Sequence, residues 1–143
     1  MSVSGELHHV AIAVPSIASA LPLYARMLGL VAGPVRELPD QRVKVAFLES
    51  AAARIELVEP LDAESGVGRF VAERGRPTLH HLCFVADDLA ATLQDLAAQG
   101  IELVDQVPRR GAEGDVAFLH PRAGDGVLIE LIDRASLARA SHT

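Results

Sequence analysis

The chain has 143 residues, half of them hydrophobic yet only 3% aromatic, so its core must be aliphatic, built from Val, Leu, Ile and Ala. A formal net charge of −6 excludes long-range attraction to nucleic acid or an anionic membrane and leaves room only for a local basic cluster that holds one small polyanion. The lone Cys83 cannot form an internal disulfide, no apolar run is long enough to span a membrane, and MSVSGELHHV lacks a secretory signal, so a soluble cytoplasmic domain over 1–143 is expected.

In chain order, residues 7–14 are apolar between turn residues and read as a strand. A helix follows, with Ile17, Leu21, Tyr24 and Leu28 as its apolar stripe and Gly29 as its stop. Ser16 is one N-cap candidate and Ser19 the other, because Pro22 is awkward six residues after Ser16 but acceptable in a first turn capped by Ser19. Three strands near 30–38, 43–49 and 54–59 complete a βαβββ module over 7–59. A linker over 60–78 follows, whose Glu64–Arg74 stretch predicts a short helix with Val67, Phe70 and Val71 on its apolar side. A second βαβββ module occupies 79–133, with a strand at 79–86. Its helix is capped by Asp87 or Asp88, striped by Leu89, Leu93 and Leu96 and stopped near Gly100. Its last strands lie near 102–107, 115–120 and 127–133, ahead of a tail over 134–143. The expected fold class is α+β, with a mostly antiparallel sheet.

The two modules are one unit written twice. Leu7-His8-His9-Val10-Ala11-Ile12 lies over Leu79-His80-His81-Leu82-Cys83-Phe84, with the first three residues identical. Val45-Ala46-Phe47-Leu48 matches Val116-Ala117-Phe118-Leu119 without a change, and Ile55-Glu56-Leu57 matches Ile129-Glu130-Leu131.

Side chains alternate across a strand. Val10, Ile12 and Val14 then face the helix, and His9 lies opposite with Ala11 and Ala13. In the second module Leu82 and Phe84 face the helix, leaving His81 opposite with Cys83 and Val85. Glu56 and Glu130 likewise stand opposite their aliphatic neighbours. Each module therefore carries one His and one Glu on the face away from its helix. A glutamate among aliphatics needs a partner, and two imidazoles with two carboxylates make a reasonable ligand set for Zn²⁺, Co²⁺, Ni²⁺ or Mn²⁺. Taken singly, a His at a strand start is more often hydrogen-bonded or exposed than a ligand, and His8 and His80 are given that role. Cys83 is read as filling space. Arg109 and Arg110, in the Pro108–Gly114 loop, are anion-site candidates or solvated loop arginines; His120, in the turn before Pro121, is equally ambiguous.

HHVAIAVPSIASAL, VKVAFLES, RIELVEP and SGVGRFVAERG, then LHHLCFVADDL, PRRGAEGDVAFLHP and GVLIELID, cover nearly all of Leu7–Asp133. With these motifs the sequence resembles the vicinal oxygen chelate superfamily, and most closely its methylmalonyl-CoA epimerases. The resemblance implies paired βαβββ modules in a U-shaped sheet around one divalent metal held by His9, Glu56, His81 and Glu130. Co²⁺ is the first choice for activity, with Zn²⁺, Ni²⁺ or Mn²⁺ as alternatives. Some epimerases carry Gln at the second ligand position, so Glu56 makes this site more anionic. The implied reaction interconverts (2R)- and (2S)-methylmalonyl-CoA through a metal-stabilised enolate, with Glu130 in proton transfer as well as ligation. A second acid/base glutamate of some epimerases aligns with Val45, which carries no proton. Arg109, Arg110, Arg76 and Arg122 are candidate contacts for CoA phosphates, and His120 a further substrate contact. A homodimer is implied by analogy. Glyoxalase I and a non-catalytic small-molecule-binding module of the same superfamily are the rival readings.

Overall fold

The structure, a computed structural model, describes residues 3–140. The chain is α+β and contains the two βαβββ modules that the repeat predicts. Its backbone contacts divide it into two compact units, His9–His80 and the remainder.

In the first module, β1 (Val3–Ala13) leads into α1 (Ile17–Leu28), followed by β2 (Val31–Ala32), β3 (Arg36–Leu38), β4 (Val43–Glu49) and β5 (Arg54–Pro60). The sheet order is β2-β4-β5-β1, with β3 also on β4. β5 runs parallel to β1 and antiparallel to β4. The predicted strand near 30–38 is two short strands. Ala32 pairs with Leu48 and Arg36 with Val45, so three residues, Gly33 to Val35, oppose two on β4. That bulge suits Pro34, which has no N–H to give a ladder.

Ser16 is the N-cap of α1, its hydroxyl accepting the Ser19 N–H at 3.2 Å. Pro22 therefore lies inside the helix and forgoes one intrahelical bond. Gly29 closes the helix with φ of 68°. Val14, Ile17, Ala20, Ala46, Leu48 and Leu57 form the core under α1, with Ile12 packed against them. Each fully buried aliphatic of this kind contributes about 1.5–3 kcal/mol. α2 (Gly66–Arg74) occupies the predicted linker helix, capped by Ser65.

The second module repeats the plan with β6 (Thr78–Ala86), α3 (Leu89–Ala98), β7 (Arg109–Arg110), β8 (Asp115–Phe118) and β9 (Ile129–Asp133). β9 runs parallel to β6 and antiparallel to β8. Asp88 is the cap of α3, accepting the Ala91 N–H at 3.1 Å. Ala86, Leu89, Leu93, Ala117 and Leu131 form its core. On the opposite face Cys83, Val85, Val116 and Ile132 are buried with Leu137 against them. Leu137 belongs to α4 (Arg134–Ala140), a helix formed by part of what the sequence reading leaves as a tail.

Two strand expectations fail here. Residues 102–107 form no strand: the one ladder contact is an isolated bridge from Leu103 to Leu119. The Asp105 carboxylate, not a backbone carbonyl, takes the Phe118 N–H. Arg109 and Arg110, read as loop residues, instead pair with Val116 and Asp115 as β7.

The duplication extends to helix anchoring. Glu59, three residues after Glu56, accepts the Ile17 N–H at 2.7 Å, and Asp133, three after Glu130, accepts the Leu89 N–H at 3.0 Å. Each last strand thus ends in a carboxylate that satisfies an orphan donor and meets the positive end of its module's helix.

Candidate metal centre

Each module builds the same two-residue arrangement from strand register. In the first, Ala11 is the partner of Glu56 across the parallel β1–β5 pair, and His9 lies two residues before Ala11 on the same face. His9 Nε2 is 3.5 Å from Glu56 Oε1. In the second, Cys83 is the partner of Glu130, with His81 two residues earlier. His81 Nε2 is 3.2 Å from Glu130 Oε1. Both glutamates are 7% exposed, and His9 and His81 are 3% and 6% exposed.

Aromatic rings complete each pair. Phe47 is directly opposite Glu56 on β4, and Phe118 is opposite Glu130 on β8. Directly opposed residues share a sheet face. The Phe47 ring meets His9 edge to face, centroids 5.6 Å apart at 84°, and Phe118 meets His81 at 5.3 Å and 89°. The imidazoles are therefore fixed from the side by rings and directed at carboxylates. Sequence reasoning did not single out these phenylalanines, although a signal was available. In a chain with four Phe, two occupy the same place in the repeated VAFL.

These donors fit a divalent ion. A charge-assisted N–H···O⁻ bond is typically about 2.7–2.9 Å, shorter than either gap. In each module the imidazole nitrogen and the carboxylate oxygen, 3.2–3.5 Å apart, are close enough that one cation could be held by both. The set of imidazole nitrogen and carboxylate oxygen suits Zn²⁺, Co²⁺, Ni²⁺ or Mn²⁺.

The other candidates are placed as follows. Val45 is buried on the Phe47 face, 2% exposed, with Arg36 as its register partner. Arg109 lies over the Phe118 ring, its guanidinium carbon 5.4 Å from the centroid. Arg110 alternates away from it. His120 caps the 3₁₀ turn Pro121–Gly124: its Nδ1 accepts the Arg122 N–H at 3.1 Å. Arg122 is engaged by Glu102 at 2.7 Å, which raises the arginine pKa and lowers that of the glutamate. Arg76 is exposed before β6. His80 stacks edge-on against Phe70 at 5.0 Å, in keeping with a packing role.

Residues 8–120 match the model of the Glyoxalase/Bleomycin resistance protein/Dioxygenase superfamily. The uncharacterized protein YqjC of Bacillus subtilis is 41% identical over 129 residues, 90% of this chain and 91% of that one. The ethylmalonyl-CoA/methylmalonyl-CoA epimerase of Cereibacter sphaeroides is 36% identical over 129 residues, 89% of this chain and 96% of its own. The crystal structure of methylmalonyl-CoA epimerase from Mycobacterium tuberculosis superposes with a TM-score of 0.88 at 36% identity, covering 98% of this chain and 95% of that one. With its duplicated module and matched His–Glu pairs, the chain belongs to the Glyoxalase/Bleomycin resistance protein/Dioxygenase superfamily, where it is similar to the methylmalonyl-CoA epimerases.

Proposed function

We propose that the chain is a metal-dependent epimerase of methylmalonyl-CoA, with His9, Glu56, His81 and Glu130 sharing one divalent ion. The observation that carries this is the equivalence of the two pairs: one buried imidazole and one buried carboxylate per module, at the same register and nearly the same spacing. The named epimerase relatives supply the substrate class, an acyl-CoA.

Inverting the carbon between a thioester and a carboxylate requires loss of its proton, which puts negative charge on the thioester oxygen next to a charge already present. A bound divalent cation supplies Lewis-acid polarisation of those oxygens. Glu130 is the group we assign to proton transfer at that carbon, as base in one direction and acid in the other. Inversion needs a second donor on the opposite face. Val45, the position where some epimerases place it, is an aliphatic side chain, so that donor is another group of the site or a water. Phe47 and Phe118 exclude solvent and hold the imidazoles in place. Arg109 and Arg110 are assigned to the anionic groups of the CoA ester, with His120 at the edge of that contact.

The protein is further inferred to work as a homodimer in the cytoplasm. Among the described residues no helix is long and apolar enough to cross a membrane, and sedimentation of the purified chain tests the dimer. The functional test is exchange of the substrate α-proton in deuterium oxide, with and without Co²⁺, using methylmalonyl-CoA and the glutathione–methylglyoxal adduct. Exchange confined to the CoA ester and dependent on metal is expected. Turnover of the adduct alone would make the chain a glyoxalase I, and a protein that binds no divalent ion would make it a sequestering module.

A further inference from the structure

The segment before β7 holds one carboxylate with two partners. Asp105 Oδ2 accepts the Phe118 backbone N–H at 2.8 Å and lies 3.5 Å from Arg109 Nε. The backbone N–H groups of Val104 and Asp105 in turn donate to the Phe118 carbonyl, at 3.0 and 3.2 Å. Phe118 is thus tied at both backbone polar groups to the residues that anchor Arg109. Its ring neighbours both the Arg109 guanidinium carbon, 5.4 Å from the centroid, and the His81 ring, centroids 5.3 Å apart. Arg109 is also the register partner of Val116, so its side chain leaves the sheet on the face that carries His81 and Glu130.

We propose that Asp105 is a positioning residue that holds Arg109, through Nε, as the receptor for an anionic group of the substrate at the edge of the His81–Glu130 pair. This rests on the acyl-CoA reading above. The anchor uses Nε, which leaves the two Nη groups as a planar fork for a carboxylate or a phosphate. The Arg109 side chain is 44% exposed, whereas Asp105 is 17% exposed, so the cation is reachable and its anchor is sheltered. In a chain of net charge −6, a cation fixed at that face is what an anionic ligand would otherwise lack.

The test compares Asp105→Asn, Arg109→Gln and the double variant in the metal-loaded protein. Asparagine keeps an oxygen for the Phe118 N–H and removes only the charge that orients Arg109. Each single variant should raise KM for methylmalonyl-CoA roughly tenfold, the scale of one charged hydrogen bond, with kcat within about twofold. The double variant should be no worse than either, because both changes remove one contact. Methylmalonyl-pantetheine, which lacks the nucleotide phosphates, identifies the anion: a retained penalty assigns the malonyl carboxylate and a lost penalty assigns a CoA phosphate. Unchanged KM in Arg109→Gln, additive losses, or a fall in kcat alone would overturn the proposal while leaving the epimerase reading intact. If Asp105→Asn fails to fold, Arg109→Gln decides alone. A wild-type protein with no α-proton exchange overturns the functional reading, and this one with it.

Discussion

Glu56 and Glu130 offer a controlled comparison inside one molecule. Both are 7% exposed, both lie on the last strand of their module, and both face an imidazole nitrogen at 3.2–3.5 Å. Replacing either by Gln changes charge with almost no change in volume, and the amide oxygen can still ligate. The loss in metal affinity should therefore be similar for the two, roughly ten- to hundredfold, the range for disturbing a group that supports a metal ligand. Proton transfer breaks the tie. If Glu130 moves the α-proton and Glu56 only ligates, Glu130→Gln loses a further factor of about 10²–10⁴ in exchange rate at saturating metal. Glu56→Gln should recover most of its activity once metal is raised. The assay is mass-spectrometric deuterium incorporation into methylmalonyl-CoA across a Co²⁺ titration, with metal affinity read separately from the Co²⁺ absorption bands. Equal residual exchange in the two variants at saturating Co²⁺ would refute the assignment of Glu130.

His81→Ala should lower Co²⁺ affinity at least tenfold, while His80→Ala, at a residue packed edge-on against Phe70, should leave the absorption titration unchanged. Gly68 lies against the backbone of Asp62 and Ala63, and an added Cβ would run into the Asp62 carbonyl oxygen; Gly68→Ala should lower unfolding stability by about 1–3 kcal/mol in urea titrations. The Arg42 guanidinium hydrogen-bonded to Asp62 holds that carboxyl below its ordinary pKa. Such a contribution is complete above the unfolded carboxylate pKa, about 4, and is lost as pH falls through the lowered value. The difference in melting temperature between wild type and Asp62→Asn should accordingly shrink between pH 5 and strongly acidic solution; a constant difference would contradict it.

The parts of the fold that were legible in the sequence are those fixed by periodicity and by repetition. Faces were readable: Ile12 and Val14 pack under α1, and Cys83 and Val85 turn the other way. Choosing His9 over His8 and His81 over His80 followed from the same alternation. The misses have separate local causes. Asp105 replaced a ladder carbonyl, so 102–107 had strand composition without strand pairing. The bulge at Gly33–Val35 split one expected strand in two. Ser16 prevailed over Ser19 as cap although Pro22 then sits inside α1, where the packing of Ile17 and Ala20 in the core offsets one missing bond. α4 passed unread because RASLARA has no apolar stripe beyond Leu137.

Duplication explains the two His–Glu pairs and also limits what they can do. Two identical halves around one ion would present the same groups to both faces of the substrate, whereas epimerisation requires that one face lose a proton and the other gain it. The valines show how complete the symmetry is at the sheet: Val45 and Val116 are equivalent, both buried, and each pairs with an arginine, Arg36 or Arg109. No acid arises there in either half. The break in symmetry comes at β7, where Arg109 lies 3.5 Å from an aspartate that also ties down Phe118, while the corresponding stretch of the first module is the bulged β2–β3 segment. The two carboxylates are thus equivalent within their strands, and the unequal roles proposed for Glu130 and Glu56 have their source in these dissimilar connecting segments.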